Sequence, residues 1–304
     1  MTDSSQTRLS YIAEVTYGVT PATPVFKNAR MTGESLAPSI QYVSSNEIRA
    51  DRNVSDMTRV GQEAGGDINF ELSYGSFDDL LEGLMYSTWA TNVLKNGVTR
   101  KSFTFEKTLA ATVNQYHRYP GSIVNSLSLS MRAKEIVTGS FNIMSKTTTS
   151  AQAIIAGATY TAVNANPVIN AANNFASLSI TGGGTVELMS LSLNMTNNLE
   201  QQPVLGAVAN RGIRAGQFVV TGEFEAYFES QELFELYLAD TATDLTFALG
   251  GTSTLKYTFL VPKIKMTAVQ TNADGNNQDV MAKISFQAYY DGTQAAALRI
   301  TRAP

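Results

Sequence analysis

Few residues in this chain have side chains that commonly do chemistry, and the first is a single histidine. His117 lies among aromatic residues in the segment 116–119, and a lone imidazole in that setting is far more often packed or surface-exposed than catalytic. A Ser–His–Asp triad would have to use this histidine, and no G-x-S-x-G motif accompanies it. We therefore predict no nucleophilic catalytic site.

Carboxylates form two groups that could work as an acid–base pair. The groups are Asp78-Asp79-Glu82 and Glu223-Glu225-Glu229. Acid–base work needs surroundings that push the two pKa values apart, whereas these positions fit a helix start and the solvent-facing side of a strand. The sequence therefore predicts structural roles for both groups and no catalytic residue.

Motifs for cofactors and metals are also missing from the sequence. The chain has no cysteine, which excludes disulfides, cysteine–zinc sites and thiol nucleophiles. The glycine run 182–184 lacks the Lys-Ser/Thr of a phosphate loop, and 274–279 lacks the terminal glutamate of a calcium loop and is predicted to be a turn. Lys256, Lys263 and Lys265 have no aromatic stacking platform beside them. We predict no cofactor, no metal and no sequence-specific nucleic-acid site.

Low charge is the main feature of the composition. Of 304 residues, 43% are hydrophobic and 16% are charged, against about a quarter charged in ordinary soluble domains. Such a surface is predicted to be covered, most simply by further copies of the chain; a β-rich domain with an uncharged polar surface is the alternative. The net charge of −4 argues against binding nucleic acid by neutralising phosphates. No apolar run is long enough to span a bilayer, and no signal peptide is visible.

The chain contains the same succession of patterns twice. Gly66 opens an alternating strand that is followed by helical spacing around Leu80, and Gly222 opens a strand that is followed by helical spacing around Leu233. Each copy then ends in two alternating strands. The predicted order in both is strand, long loop, strand, helix, strand, strand, strand.

Spacing downstream of the two glycines is also alike. The segment 101–105 begins 35 residues after the first glycine, and 256–260 begins 34 residues after the second, so we predict that they are equivalent strands. Ser76 with Asp79 fits a capping box at the start of the first helix.

These patterns predict a mainly β chain with short helices (α+β) that holds two copies of one fold. The segments are an N-terminal arm at 1–34, copy one at 35–146, a linker or projecting hairpin at 147–185, copy two at 186–291 and a C-terminal tail at 292–304. The prolines of the arm preclude a helix, so it is predicted to lie extended on a neighbour or on its own chain. Its deletion is expected to leave folded subunits that no longer polymerise. The loops 45–65 and 196–216 occupy equivalent places and are predicted to contact other subunits.

Four blocks in the N-terminal third are more specific. In order, they are IAEVTYGVTP at 12–21, RMTGESL at 30–36, SNEIRADR at 45–52 and ELSYG at 71–75. This succession resembles the major tail tube proteins of long non-contractile-tailed (siphovirus-like) bacteriophages. The likeness extends over nearly the whole chain, with 147–185 as the part without a match.

The resemblance implies a structural virion protein that forms stacked rings and makes the conduit for DNA ejection. The sheets of a β-sandwich fold would join between subunits into a continuous β-barrel tube. Because common members carry one fold per chain and form hexamers, a duplicated fold implies homotrimers with pseudo-sixfold symmetry. The implied partners are further copies, the tape measure protein in the lumen, tail terminator and distal tail proteins, and passing double-stranded DNA, with no membrane. Assembly would take place in the host cytoplasm, and the family has no catalytic residues to transfer.

Alternation along the predicted strands suggests how such a tube would be lined. Ser128 and its neighbours two residues away would face a wet lumen, while Leu127 and Leu129 face the core. A net acidic subunit would also avoid gripping the phosphates of DNA. We expect the arm and the two loops to make contacts between rings.

A carbohydrate- or receptor-binding β-sandwich is the alternative function. It should display a cluster of aromatic residues on an exposed loop, whereas Trp89 lies at or just past a predicted helix and is expected in the core. An enzyme of another type would need a pocket with coupled titrating groups.

Overall fold

The computed structural model describes residues 3–184, 186–272 and 275–304, apart from the side chain of residue 177. The turn predicted at 274–279 therefore begins outside the described residues. Within these ranges, no helix is long and apolar enough to cross a membrane.

The first half of the chain contains a 3-10 helix at Ser4–Gln6, helix α1 at Asp78–Met85 and a series of strands. The strands are β1 Arg8–Ala13, β2 Val25–Asn28, β3 Gly33–Glu34, β4 Ala37–Ser44, β5 Met57–Glu71, β6 Val93–Lys95, β7 Phe103–Leu109, β8 Gln115–Arg132 and β9 Thr138–Ser145. The connecting region contributes β10 Thr149–Ala151, β11 Thr159–Thr161 and β12 Phe175–Ile180.

The second half contains helix α2 at Glu232–Leu238 and a similar series. Its strands are β13 Leu188–Thr196, β14 Glu200–Gln202, β15 Gly212–Arg214, β16 Val219–Tyr227, β17 Thr243–Gly250, β18 Lys256–Asn272, β19 Met281–Ala288 and β20 Arg299–Ala303. The prediction of a mainly β chain with short helices is confirmed.

One long antiparallel sheet runs through both halves in the order β4–β5–β9–β8–β13–β16–β19–β18. Alternating side chains give it one apolar and one polar face: Leu127 and Leu129 are buried, and Ser128 and Ser130 are exposed. The apolar face belongs to a hydrophobic core that takes residues from both halves. The two halves therefore fold against one another.

The long strands β8 and β18 each continue into a smaller sheet. The start of β8 pairs with β7 and β10, and β7 in turn pairs with β1. The start of β18 pairs with β17 and β20, and β17 pairs with β12. Each half is thus a sandwich whose two sheets share one long strand.

Irregularities in the pairing fall at the same places in both halves. The pairing of β8 with β9 shifts between Val124 and Ser126, and the pairing of β18 with β19 shifts between Met266 and Ala268. β-Bulges are features of a particular fold and rarely coincide by chance. The matching bulges therefore show that β8 and β18 are equivalent strands. The strand orders of the two halves can be aligned on this pair.

A second bulge corrects one predicted equivalence. The pairing shifts between Phe103 and Phe105 in β7 and between Thr243 and Leu245 in β17, which makes β7 the counterpart of β17. The prediction that 256–260 matches the strand at β7 is therefore wrong, because 256–260 begins β18, the counterpart of β8.

The two helices differ in their flanks, which explains the misleading spacing. Residues 86–102, including β6, follow α1, whereas only 239–242 separate α2 from β17. The predicted capping box is also wrong. Phe77 is the N-cap residue of α1 without a side-chain hydrogen bond, and Ser76 Oγ lies 2.6 Å from Ser73 Oγ instead.

The N-terminal arm lies on the body of its own chain, as one of the two predicted placements had it. β1 pairs with β2 and β7, and Leu9, Tyr11 and Phe26 are 1%, 4% and 0% exposed. Deleting 1–34 would strip these side chains from the core. The expectation that the deletion leaves a folded subunit is therefore wrong.

The connecting region, over its described residues 147–184, runs along both halves. β10 pairs with β8, β11 pairs in parallel with β2, and β12 pairs with β17. Two isolated bridges, from Ser73 to Val168 and from Ile136 to Asn170, hold the segment between these strands.

The two long loops have different structures. In 45–65, residues from Met57 onward belong to β5, so β4 and β5 form an extended hairpin whose tip is 45–56. In 196–216, the short β14–β15 hairpin folds back, and Ile213 is buried beside Tyr86. The two segments do connect equivalent strands, β4 to β5 and β13 to β16, but each forms backbone pairs of its own instead of an open loop.

Candidate functional site

The polar face of the long sheet carries small polar side chains on neighbouring strands. Rows of small polar side chains cross it from strand to strand, for example from Ser130 to Ser192 and from Ser128 to Asn194. Leu127, the core-facing neighbour, is 1% exposed. This is the face that the sequence predicted to be wet. Successive side chains along each strand point alternately to this face and to the core.

Charges on this face have both signs. Its acidic residues are Glu63, Asp67, Glu71, Glu223 and Glu225, and its basic residues are Arg132, Lys265 and Lys283. Lys283 Nζ lies 2.8 Å from Glu223 Oε1, and Lys265 Nζ lies 2.5 Å from Asp240 Oδ2. Over the described residues of the face, lysine and arginine do not dominate.

The two ends of the long sheet are open along their outer edges. β4 pairs with β5 on one side, and the end of β18 from Lys265 to Asn272 pairs with β19 on one side. No other strand among the described residues pairs with either edge. Open edges are templates for pairing with another chain.

The carboxylates near the start of α1 are held by basic partners. Asp78 accepts from Arg302, at 2.5 Å, and from the Tyr257 hydroxyl. Asp79 pairs with Lys27 and Glu82 with Lys101. These contacts join α1 to β2, to β18, to β20 and to the segment just before β7. The geometry therefore supports the predicted structural role of this group.

The other residues singled out by type lie apart from one another. His117 sits on β8 between Lys107 of β7 and Ser150 of β10. Lys263 pairs with Asp291 at 3.2 Å. Among the described residues, no group of three or more His, Asp or Glu side chains could hold a metal ion.

Trp89, the residue that matters for the carbohydrate-binding alternative, packs against the hydrophobic core and is only partly exposed. Its Nε1 donates to the carbonyl of Asp78 at 3.3 Å, and the Arg302 guanidinium lies 4.6 Å from the ring centre. Both contacts are within the chain. Trp89 was expected in the core; it is partly buried and packs against the core from outside.

Two buried tyrosines beside the α1 carboxylates make stability depend on pH. Burial, and then Asp79, raises the pKa of Tyr11, and burial, and then Asp78, raises the pKa of Tyr257. Unfolded phenols ionise near pH 10, so above that pH the unfolded state alone loses these protons. The free energy of unfolding should fall as pH rises above about 10, by about 1.4 kcal/mol per pH unit for each tyrosine.

Urea denaturation between pH 8 and pH 11 tests this expectation. Tyr257→Phe should make the alkaline slope shallower, whereas Tyr290→Phe, at a position 63% exposed, should leave it unchanged. Equal slopes in wild type and Tyr257→Phe would contradict it.

Sequence reasoning missed the exposed apolar residues near the open edges. Ile40 and Tyr42 on β4 are 42% and 55% exposed, and Phe234 and Leu238 on α2 are 39% and 67% exposed. The helical spacing around Leu233 corresponds to α2, but α2 has no buried residue, whereas α1 has five.

Comparison with known proteins gives one family match for the chain. The family described as phage tail tube protein matches residues 4–288. A search of curated proteins found no significant match. Because the family match covers nearly the whole chain, this chain belongs to the phage tail tube protein family.

Proposed function

We propose that the chain is the repeating subunit of a tail tube and assembles into stacked rings through which DNA is ejected. The observation that carries this proposal is the long sheet, which crosses both halves and ends in two unpaired edges. Head-to-tail pairing of such edges closes a ring when the rotation permits. It also removes the exposed edges that would otherwise favour aggregation.

Pseudo-sixfold symmetry with three chains per ring is the arrangement that the duplicated strand order supports. The copies were predicted at 35–146 and 186–291. We propose that each repeat is larger, because β1 and β12 hold equivalent places beside β7 and β17, and β10 and β20 hold equivalent places beside β8 and β18. The repeats would then begin at β1 and β12.

The polar face of the long sheet is the proposed lumen wall. Its small polar rows offer no array of cations to passing phosphates, and the acidic residues would repel them. We propose that DNA and the tape measure protein contact this face without sequence-specific binding. The tail terminator and distal tail proteins would contact the ends of the ring stack, and assembly would take place in the host cytoplasm.

The role proposed here is structural and not catalytic. The α1 carboxylates support it, because each is occupied by a cation or a hydroxyl of the same chain.

Negative-stain electron microscopy together with mass photometry tests the function. We expect rings or tubes, and a ring mass of three chains, at concentrations where the protein assembles. Rings of six chains would keep the tube function and contradict the pseudo-sixfold arrangement. A monomer at every concentration tested would contradict the tube function itself.

A further inference from the structure

The junction between the two halves shows how this fold pairs with itself. The end of β8 pairs antiparallel with β13, with Ser126 opposite Thr196 and Ser128 opposite Asn194. Next to this ladder, Asn197 Nδ2 donates to the carbonyls of Leu84, at 2.9 Å, and Val124, at 3.0 Å. The end of β13 in the second half is thus fixed to the last turn of α1 and to the bulged strand β8 of the first half.

Strand register places the counterpart of β13 on β4. Leu193 lies opposite Gly222. Leu36 holds the same place opposite Gly66, between the pairs Glu34–Ile68 and Ala37–Gly65. Counting from these positions, Ser39 corresponds to Thr196 and Ile40 corresponds to Asn197.

The counterpart of the β8 edge is the end of β18. Ser126 and Ala268 each follow the shared bulge, so Ala268 corresponds to Ser126. On the side away from β19, the described residues of this end of β18 have no strand partner. The chain therefore contains one complete junction, the pairing of β8 with β13. It also contains the two separate edges, β4 and the end of β18, that could form a second junction of the same kind.

Exposed apolar side chains lie at both edges of this second junction, on β4 and on α2 beside β18. In the first junction, Asn197 contacts the end of α1. At the equivalent places of the second, β4 carries Ile40 and Tyr42 and α2 carries Phe234 and Leu238, all of them exposed in part. Bringing them together would remove apolar surface from water on both sides. The second junction would thus use apolar contact where the first uses amide hydrogen bonds.

Pro38 is compatible with this use of the edge. The N–H of Ser35 donates to Asp67 of β5, so by strand alternation the backbone of Pro38 faces outward. A partner strand would lose one hydrogen bond there, because proline has no N–H. Proline on an edge strand also discourages pairing in other registers.

We propose that β4 of one chain pairs antiparallel with the end of β18 of a second copy of this chain, with Ser39 opposite Ala268 and Ala37 opposite Gln270. The pairing specifies the lateral contact of the proposed ring and rests on that proposed function. It repeats the β8–β13 junction residue by residue. The β4 edge, and not the tip of its hairpin, makes the lateral contact.

Disulfide trapping tests the register, since the chain has no cysteine of its own. Ser39 would face Ala268 in a non-hydrogen-bonded pair, whose Cα atoms lie about 4.5 Å apart, within the range of a disulfide. The variant Ser39→Cys/Ala268→Cys, under a mild oxidant, should give covalent oligomers up to the ring size. A mixture of the two single variants should give covalent dimers only.

The matched control is Ser39→Cys/Gln270→Cys, which moves one cysteine by two residues on the same face. That diagonal pair would be about 7–8 Å apart, too far for a disulfide, and its yield should be at least about tenfold lower. Circular dichroism checks that each variant folds, and microscopy of the reduced samples checks assembly.

The outcomes separate this inference from the proposed function. Rings or tubes with no cross-linking, or with equal yields in both pairs, would overturn the register and leave the tube function standing. Absence of rings in every sample, including wild type, together with absence of cross-links would overturn both.

Discussion

Replacing Arg118 with alanine is expected to lower the free energy of unfolding by about 3–5 kcal/mol, because it leaves a buried carboxylate without its cation. Glu106 is 0% exposed, and its Oε2 lies 2.7 Å from Arg118 Nε. Its other oxygen accepts from the Tyr160 hydroxyl at 2.5 Å. The carboxylate itself is buried, so removing the guanidinium leaves a desolvated charge without its partner.

The position of this pair increases the effect. Arg118 also donates to the carbonyl of Ala153 at 2.7 Å, and the Tyr160 ring stacks on Phe26 at 5.5 Å. The pair therefore joins β7 and β8 to the connecting region and to β2. We expect Arg118→Ala to loosen these elements together.

Urea denaturation followed by circular dichroism measures the loss. The matched control is Arg132→Ala, because Arg132 pairs with Glu135 at 3.9 Å and both side chains are 62% exposed; its cost should be below about 1 kcal/mol. The double change Arg118→Met/Glu106→Leu should recover much of the stability. Similar losses for Arg118→Ala and Arg132→Ala would show that the pair is unimportant.

Gly222→Val is expected to cost about 3 kcal/mol or to prevent folding, because a core-facing strand position has no room for a side chain. A Cβ atom at Gly222 would lie 2.3 Å from Cζ of Phe286 and 2.7 Å from the backbone oxygen of Ser192. The ring could turn away, but the backbone oxygen belongs to the neighbouring strand β13. Relief would therefore require the sheet itself to shift.

Thermal denaturation compares this variant with Gly292→Ala, whose new Cβ atom would meet nothing within 4 Å. The control should change the midpoint little. A Gly222→Val midpoint equal to that of wild type would mean that the sheet adjusts without cost, contrary to the close packing expected of a core.

Strand content and the main repeat could be read from the sequence, because alternation is a local property. Gly66 and Gly222 were predicted to be equivalent. In the structure Gly66 pairs with Ile143 and Gly222 pairs with Phe286. Ile143 and Phe286 pair in turn with the residue just before the bulge in β8 and in β18. Register followed from pattern here because a one-residue slip would turn the core face outward.

Features that depend on distant contacts could not be read in this way. Connection length misled the alignment of 256–260. The segment 86–102 after α1 is about as long as the short link 239–242 after α2 together with β17 and the turn that follows it, so equal spacing hid a difference of one strand. The arm 1–34 offered no signal that Tyr11 would be buried between β7 and the α1 carboxylates. Burial of Glu106 was equally invisible, because a charged residue on an alternating strand looks solvent-facing until its sheet is covered.

The pairing of β8 with β13 inside one chain has a kinetic consequence. That contact forms as the chain folds, at any protein concentration, because its two strands are tethered. Only contacts between chains have to be found by diffusion, so their strength alone sets the concentration at which assembly begins. Joining two units in one polypeptide thus reduces the number of diffusional encounters needed to build each ring. The remaining contact between chains can be weak enough for a misplaced subunit to dissociate before further contacts hold it.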